Sequence, residues 1–304
     1  MRIVPLPLRL LLGFVALALL VSSCDNGEEG PGLRIGAWNL EHLDDTGADG
    51  CVPRDQADYD DIAAQVEEFG LDVVAFQEVE NEDAAHRVFP SAGWVVEVSR
   101  RPVRNTGLQC RDRPGQRLGH LATGFAIRRE VAYRRNADLE VLGEATAFQR
   151  WGTDITVTEN GQNLRLLSVH LASGCWGEEN DDDPRDERIC DILNGQINHL
   201  RAWADDRRAE RAAFVILGDF NRRLAVPGDW AWDILSPPSA PLHLPTSDLV
   251  TQCDPRYTEM IDHLVLGGGA RDLLVPGSTH EWPRQGEHPD HCAVSGDFLL
   301  HDGT

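Results

Sequence analysis

The chain has 304 residues, of which 41% are hydrophobic and 26% charged, enough for one large domain with an ordinary globular core. The formal charge is −22, and all 28 basic residues are Arg. So acidic a chain repels polyanions at long range, which argues against coating of a nucleic-acid duplex through a broad basic face. A phosphate site at which bound cations supply the local positive charge stays open.

Residues 1–24 read as a targeting segment. Arg2 and Arg9 give a positive start, and LLLGFVALALLV, residues 10–21, is an apolar run too short to span a bilayer comfortably. Cys24 closes the VSSC that ends this run, and the polar, Gly-rich DNGEEGPG follows. The arrangement resembles the bacterial lipoprotein signal, which implies lipidation at Cys24, residues 25–32 as a flexible tether, and membrane contact only through that lipid. A plain secretory peptide is the alternative. Either reading exports residues 33–304, to face the periplasm or the cell exterior. Six cysteines then remain: Cys51, Cys110, Cys175, Cys190, Cys253 and Cys292. An even number in an exported chain suggests up to three disulfides, with Cys175–Cys190 the favoured local pair. No C-x-x-C occurs, which disfavours a cysteine zinc site.

LRIGAWN, residues 33–39, reads as a strand. In the stretch 55–70, Tyr59, Ile62, Ala63, Val66 and Phe69 recur at helical spacing, and Gly70 is a natural stop. LDVVAFQEV, residues 71–79, is a buried strand, so the first unit is strand, helix, strand. A short helix is expected at 82–89, and strands near 94–98, 122–128 and 131–141. Residues 154–171 read as a hairpin turning at Asn160-Gly161. A helix around 189–211 follows, and AFVILGDF, MIDHLVLG and HCAVSGDFLL supply further strands. No internal repeat or linker interrupts 33–300, which points to a single domain, expected to be a monomer.

Charge is unevenly spread. Residues 100–135 hold ten Arg against two acids, Asp112 and Glu130. These arginines either pair with the acidic remainder or, for some in the Gly- and Pro-containing loop, meet an anionic substrate. Arg111, Arg113 and Arg117 are candidates for a substrate phosphate. EENDDDPRDE, residues 178–187, holds seven carboxylates. It reads as a solvated loop, with a structural Ca²⁺ site as the alternative.

The chemistry gathers at strand ends. Residues two apart on a strand share a face, so Asp219 and Asn221 in VILGDFNRR present a carboxylate and an amide side by side. IGAWN ends in Asn39, with Glu41 two further on. VVAFQEV ends in Gln77 and Glu78, and LLSVHL ends in His170. Each alone reads as a loop or cap residue. Four together, with EMIDHLVL and HPDHC downstream, suit metal-assisted attack on a phosphate ester at the carboxyl edge of an α/β sheet. Hard cations such as Mg²⁺ take carboxylate and amide oxygens, and an imidazole is held best by a carboxylate on its second nitrogen.

AWN, FQEV, SVHLAS, GDFN, IDH and PDHCAV occur in the order seen in the endonuclease/exonuclease/phosphatase superfamily, which the chain resembles over about residues 33–300. The resemblance implies an α/β four-layer sandwich of two packed mixed β-sheets flanked by helices. It implies Mg²⁺ or Mn²⁺ as cofactor and a phosphodiester, nucleic acid among them, as substrate. By motif, Asn39, Glu78 and Asp290 resemble metal-site residues. Asp219 resembles the residue that orients or deprotonates the attacking water, and Asn221 the amide that holds a phosphate oxygen or that water. His291 resembles the catalytic imidazole with Asp262 as its carboxylate, and His170 the imidazole across the phosphate. Which imidazole is the base, and whether one or two metals act, stays open. His120 in RLGHLATGFAIRR and Arg222 after GDFN are further candidates near the phosphate. His263 points away from Asp262 on its strand and is read as a surface or core-edge histidine outside the site.

Two other classes compete. A zinc hydrolase could be built on EHPDHC, with His288, Asp290, His291 and Cys292, but four adjacent residues of one extended segment cannot all face one ion. A non-catalytic lipoprotein binding a phosphorylated ligand would use the same fold. A serine esterase lacks its G-x-S-x-G. Within the superfamily the substrate ranges over nucleic acid, small phosphodiesters, phosphomonoesters and sphingomyelin-like lipids. No aromatic stacking platform is evident, but export favours scavenging, so a nuclease or general phosphodiesterase is the expected activity.

Overall fold

Buried, β-branched runs build the structure. In the computed structural model, which describes residues 32–47, 50–103, 107–176 and 184–300, without the side chains of 184–186, they form two mixed sheets. Cys24, residues 25–31 of the tether, Arg104 and most of the acidic stretch 178–187 lie outside the described residues. The strands are β1 Leu33–Leu43, β2 Val73–Val79, β3 Trp94–Val98, β4 Ala122–Arg128, β5 Ala132–Arg135, β6 Thr153–Glu159, β7 Gln162–His170, β8 Ala213–Asp219, β9 Asp262–Gly267, β10 His280–Trp282 and β11 Ala293–Phe298. The first sheet runs β10-β11-β1-β2-β4-β3 and the second β5-β6-β7-β8-β9. Each holds one parallel pair, β1 with β2 and β7 with β8, among antiparallel neighbours.

The two inner faces meet in a core of Val73, Ala75, Phe125 and Ile127 against Ile155, Leu166, Val215 and Leu264. Helices α1 Gln56–Phe69 and α2 Glu82–Val88 cover the outer face of the first sheet around Trp38, Phe76 and Trp94. Helices α3 Pro184–Ala209 and α4 Trp230–Leu235 cover the second around Leu193, Ile197, Phe214 and Phe220, and α5 Ala270–Leu273 follows β9. This is the expected four-layer sandwich. Helix α1 starts where Asp55 caps Ala57 N and Asp58 N, and stops at Gly70 in the left-handed region.

Two local expectations change, and the one for the cysteines holds. The strand placed at 131–141 ends at Arg135, because Asn136 turns its amide onto Asp154 and Thr156 while Arg135 pairs with Asp138. The cysteines form Cys51–Cys110, Cys175–Cys190 and Cys253–Cys292, so the favoured pair is present with two others. His263 is fully buried rather than at the surface. Its Nδ1 meets Thr246 Oγ1 at 2.9 Å, its Nε2 meets the Arg222 carbonyl at 3.1 Å, and the Phe220 ring lies edge-on to it. No helix among the described residues is long and apolar enough to cross a membrane.

Burial holds the His263 ring neutral, depressing its pKa from 6.5 to about 4. Between these values the unfolded chain binds the proton and the folded one does not, so stability rises with pH through this window and is lost on acidification. Between neutral pH and about 4 the unfolding free energy of the parent will drop by on the order of 3 kcal/mol relative to that of His263→Gln. An equally steep fall in the variant contradicts the assignment.

Candidate active site

Strand direction assembles the site. Because β1 and β2 run parallel, Asn39 lies opposite Gln77, with Glu78 next in line. Because β7 and β8 run parallel, His170 lies opposite Asp219. Strand β9 runs the other way and begins at the same edge, with Asp262 opposite Asp219. Strand β11 also begins there, and Asp290 and His291 lead into it. The Trp38 indole donates to the His291 carbonyl at 3.0 Å, and Cys292 is tied to Cys253, so the His291 main chain is fixed from both sides.

The two sheets are joined just beneath. Gln77, fully buried, donates to Ser168 Oγ across the sheet interface at 3.1 Å. Gly218 faces it with a φ of 136°. A Cβ there would stand 2.2 Å from the Val169 carbonyl and 2.9 Å from Gln77 Nε2, so only glycine lets the strand ends close. Above this floor the backbone bends sharply. Glu41, His42, Glu78 and Asn221 all take positive φ, four of the six such non-glycine residues among those described. Conformations of this kind persist where surrounding contacts over-determine them. They swing Glu78 and the Glu41–His42 bulge into the cleft.

Asp219 is the hub. Its Oδ1 accepts from Asn221 N at 2.8 Å, and its Oδ2 from Asn39 Nδ2 and Asn221 Nδ2, each at 3.1 Å. His170 Nε2 stands 3.4 Å away and His291 Nε2 3.9 Å. His291 Nδ1 in turn meets Asp262 Oδ2 at 2.7 Å. Asp219, Asp262 and His291 each bring an atom within 4.8 Å of the others, but the short bond commits Asp262 to the imidazole and makes the group a carboxylate–imidazole–carboxylate line. Burial pushes the Asp219 carboxyl up to about 7, with Asp262 adding to the shift and His291 and the amide donors opposing it. Burial opposes charge on His291 as well, yet Asp262 and Asp219 hold its pKa well above 6.5.

Glu78 faces the cleft from the other sheet. Its Oε2 accepts from His42 N at 3.1 Å and lies 3.4 Å from His42 Nε2, and its Oε1 lies 3.7 Å from His170 Nε2. Burial opposes the charge, but His170, His42, Arg150 and His291 overcome it and bring the carboxyl down to about 2. His170 itself is held neutral by burial and by Arg150. With His170 neutral, Arg150 and the charged His291 remain as cations beside Glu78. Arg150 is the residue that sequence reasoning missed. It is a lone Arg in FQRWG, outside the basic strip, whose guanidinium is enclosed beside Glu78 and Asp219 and whose Nε has no hydrogen-bond partner. His42 was missed too, because nothing in EHL shows that the strand bulges there.

The cleft has two lobes. One, of about 560 Å³, is lined by Glu41, His42, Glu78, Arg150, His170 and Asp219; the other, of about 700 Å³, by Trp176, Arg223, Arg256, Tyr257 and Asp262. Arg111, Ser173, Asn221, Asp290 and His291 line both. Asp290 is half-exposed at their junction, with its backbone N–H donating to Glu41 Oε2 at 3.0 Å. Trp176 and Tyr257, 44% and 55% exposed, give the second lobe an aromatic surface that the sequence did not reveal. Among the described residues of the basic strip, Arg111 is the one that lines the site.

The other phosphate candidates stand elsewhere. Arg222 is buried, with Nε on Asp229 at 2.7 Å and Nη1 on the Cys175 carbonyl at 2.8 Å, so it braces a loop and is not a phosphate ligand. Arg113 donates to the Gly50 carbonyl, and neither it nor the exposed Arg117 lines either lobe. His120 sits in a separate small cavity beside Arg101, and burial and that guanidinium lower its pKa to about 4. Two further arginines of the strip pair with acids outside it: Arg128 with Glu67, while stacking on the Trp94 ring, and Arg135 with Glu97 and Asp138.

The model for the Endonuclease/Exonuclease/phosphatase family matches residues 36–302. Among solved structures, truncated TDP2 from Caenorhabditis elegans superposes with a TM-score of 0.60 at 15% identity, over 88% of this chain and 97% of that one. A Bacteroides vulgatus endonuclease/exonuclease/phosphatase gives 0.59 at 13% identity, over 88% and 99%. The 3'-5' exonuclease NExo from Neisseria meningitidis gives 0.55 at 17% identity, over 88% and 99%. At such identities the likeness establishes the fold. No curated protein matches the chain.

Asp262 holds His291 in place and in its charged form. Asp262→Asn will therefore lower kcat by roughly 10²–10⁴-fold while KM holds and circular dichroism shows the fold retained. An unchanged kcat would remove the pair from the chemistry.

Proposed function

The chain belongs to the endonuclease/exonuclease/phosphatase family, and we propose that it is a divalent-metal-dependent phosphodiester hydrolase, an exported nuclease or general phosphodiesterase anchored through Cys24. The observation that carries this reading is the meeting of ionised Glu78, the Asp219 hub and the Asp262–His291 pair in one cleft.

The donor set fits a hard cation. Glu78 offers a carboxylate held ionised and short of donors, Asp290 a half-exposed carboxylate, and Asn39 the second lone pair of an Oδ1 already taken by Glu41 N. Mg²⁺ or Mn²⁺ held there supplies Lewis-acid polarisation of a phosphoryl oxygen. The residues of the chain do the rest. Asp219, oriented by both amides, takes the proton of the attacking water. His291, charged by Asp262, and the enclosed Arg150 face the charge that builds on phosphorus-bound oxygens. Asn221 Nδ2 also donates to the Leu171 carbonyl at 3.2 Å, which fixes it beside the same phosphate. His170 stays neutral between Glu78 and Asp219 and spaces them.

Space on both sides of the site favours a diester, which carries a group on either side of the scissile phosphate, over a monoester. Trp176 and Tyr257 in one lobe suit unpaired bases, since every base offers a π-face. The neighbour NExo is a 3'-5' exonuclease, which supports nucleic acid as the substrate. Three disulfides support an oxidising compartment and hence export.

The test is hydrolysis of single-stranded DNA, RNA, sphingomyelin, bis-p-nitrophenyl phosphate and p-nitrophenyl phosphate with Mg²⁺ or Mn²⁺. Nucleic acid and the synthetic diester will be cleaved, the monoester poorly, and chelator will abolish activity. Glu78→Ala, Asp219→Ala and His291→Ala will each lower kcat/KM by roughly 10³-fold or more with unchanged circular dichroism. Variants as active as the parent would place the chemistry elsewhere.

A further inference from the structure

The parallel pairing that brings Asn39 beside Gln77 continues past the catalytic edge. Leu43 pairs with Val79, so the residues after β1, Asp44 and Asp45, come to lie beside Glu80, the residue after β2. The three carboxylates each bring an oxygen within 4.8 Å of the other two. Asp44 is only 7% exposed. Its Oδ1 is saturated by Thr46 N at 3.0 Å, Thr46 Oγ1 at 2.8 Å and Gly47 N at 2.7 Å. Its Oδ2 is buried and meets no hydrogen-bond donor.

An ionised oxygen buried without a donor is costly unless a cation meets it. No described Arg does so. Arg87 gives its guanidinium to the Asp45 carbonyl, Gln56 and the Tyr59 ring, and Arg54 gives its own to the carbonyls of Leu40, Glu41 and His42. No ion pair joins Asp44, Asp45 or Glu80 to a described basic side chain, although two guanidiniums pack within the same region.

We propose that Asp44, Asp45 and Glu80 form a second, structural divalent-cation site, and that its ion is Ca²⁺. All the protein donors are oxygens, which selects a hard cation. Two strand ends fix them, so they cannot rearrange into the strict octahedron that Mg²⁺ demands, whereas Ca²⁺ tolerates irregular shells. Asp45 and Glu80 are partly open, leaving room for water to complete the shell. Such an ion ties the 44–47 turn to the end of β2, two residues beyond Glu78. The Cys51–Cys110 disulfide passes that restraint to the segment carrying Arg111, on the wall of the catalytic cleft. The ion positions the cleft and takes no part in bond breaking.

Tb³⁺, a luminescent stand-in for Ca²⁺, tests this on the purified full chain, with aromatic side chains as sensitisers. The Tyr59 hydroxyl already donates to the Asp44 carbonyl at 2.8 Å. A bound Tb³⁺ signal will survive Glu78→Ala, which removes the candidate catalytic ligand. It will weaken in apparent affinity by at least roughly tenfold in Asp45→Asn and in Glu80→Gln. Ca²⁺ will displace it at lower concentration than Mg²⁺. Ca²⁺ will also raise the melting temperature of the parent and of Glu78→Ala but not of the other two variants. Asp44→Asn risks misfolding, so the two half-buried positions carry the test. A signal lost with Glu78→Ala and indifferent to Asp45→Asn and Glu80→Gln would overturn the site. So would the absence of saturable binding, the result expected if a shared proton neutralises the cluster. Displacement by Mg²⁺ as readily as by Ca²⁺ would overturn the choice of ion. None of these readouts depends on hydrolysis, so they stand apart from the test of the proposed function.

Discussion

A carboxylate at the end of a fully buried strand sets the terms for everything around it. Asp219 closes β8, every residue of which is buried, and it cannot stand there unmatched. Asn39 reaches it from the opposite sheet, Asn221 from two residues further along, His170 from the neighbouring β7, and His291 from the segment that leads into β11 of the opposite sheet. The partners come from four strand ends, so their meeting requires that the two sheets keep register with each other. Gln77 and Gly218 enforce that register from beneath. The fold thereby turns a local electrostatic demand into a fixed arrangement of acids and bases.

The same demand separates the charges into two groups. Glu78 is ionised because Arg150 and His291 are near, and His291 is charged because Asp262 and Asp219 flank it. His170, between the negative groups, stays neutral because burial opposes its charge and the nearby cations Arg150 and His291 repel it. Preorganised charge of this kind acts where water is scarce and costs no reorganisation at the moment of reaction. The acidic net charge of the chain is no obstacle, since the site carries its own Arg150 and Arg111.

Much of this was legible in the sequence because chemistry-bearing residues follow apolar runs. Asn39, Glu78, His170 and Asp219 each end or directly extend such a run, and the alternation of the strands shows which face they share. The helix at 56–69 was legible from its spacing and from Gly70. Other features were not, for physical reasons. Arg150 lies between elements and belongs to no pattern. His42 depends on a bulge that shows only in the backbone. Alternation placed His263 on the face away from Asp262, but could not show that Thr246 and Phe220 cover that face. Arg222 looked free beside GDFN, and Asp229, seven residues on, claims it. A strand as short as His280–Trp282 carries no period to read.

The most direct measurement of the central arrangement is anomalous diffraction from crystals grown with Mn²⁺. The structure predicts an ion bonded to a Glu78 oxygen on the cleft floor, with Asp219 and His291 around the adjoining solvent. Crystals in which Mn²⁺ binds only elsewhere on the surface, leaving the Glu78 carboxylate without metal, would contradict it.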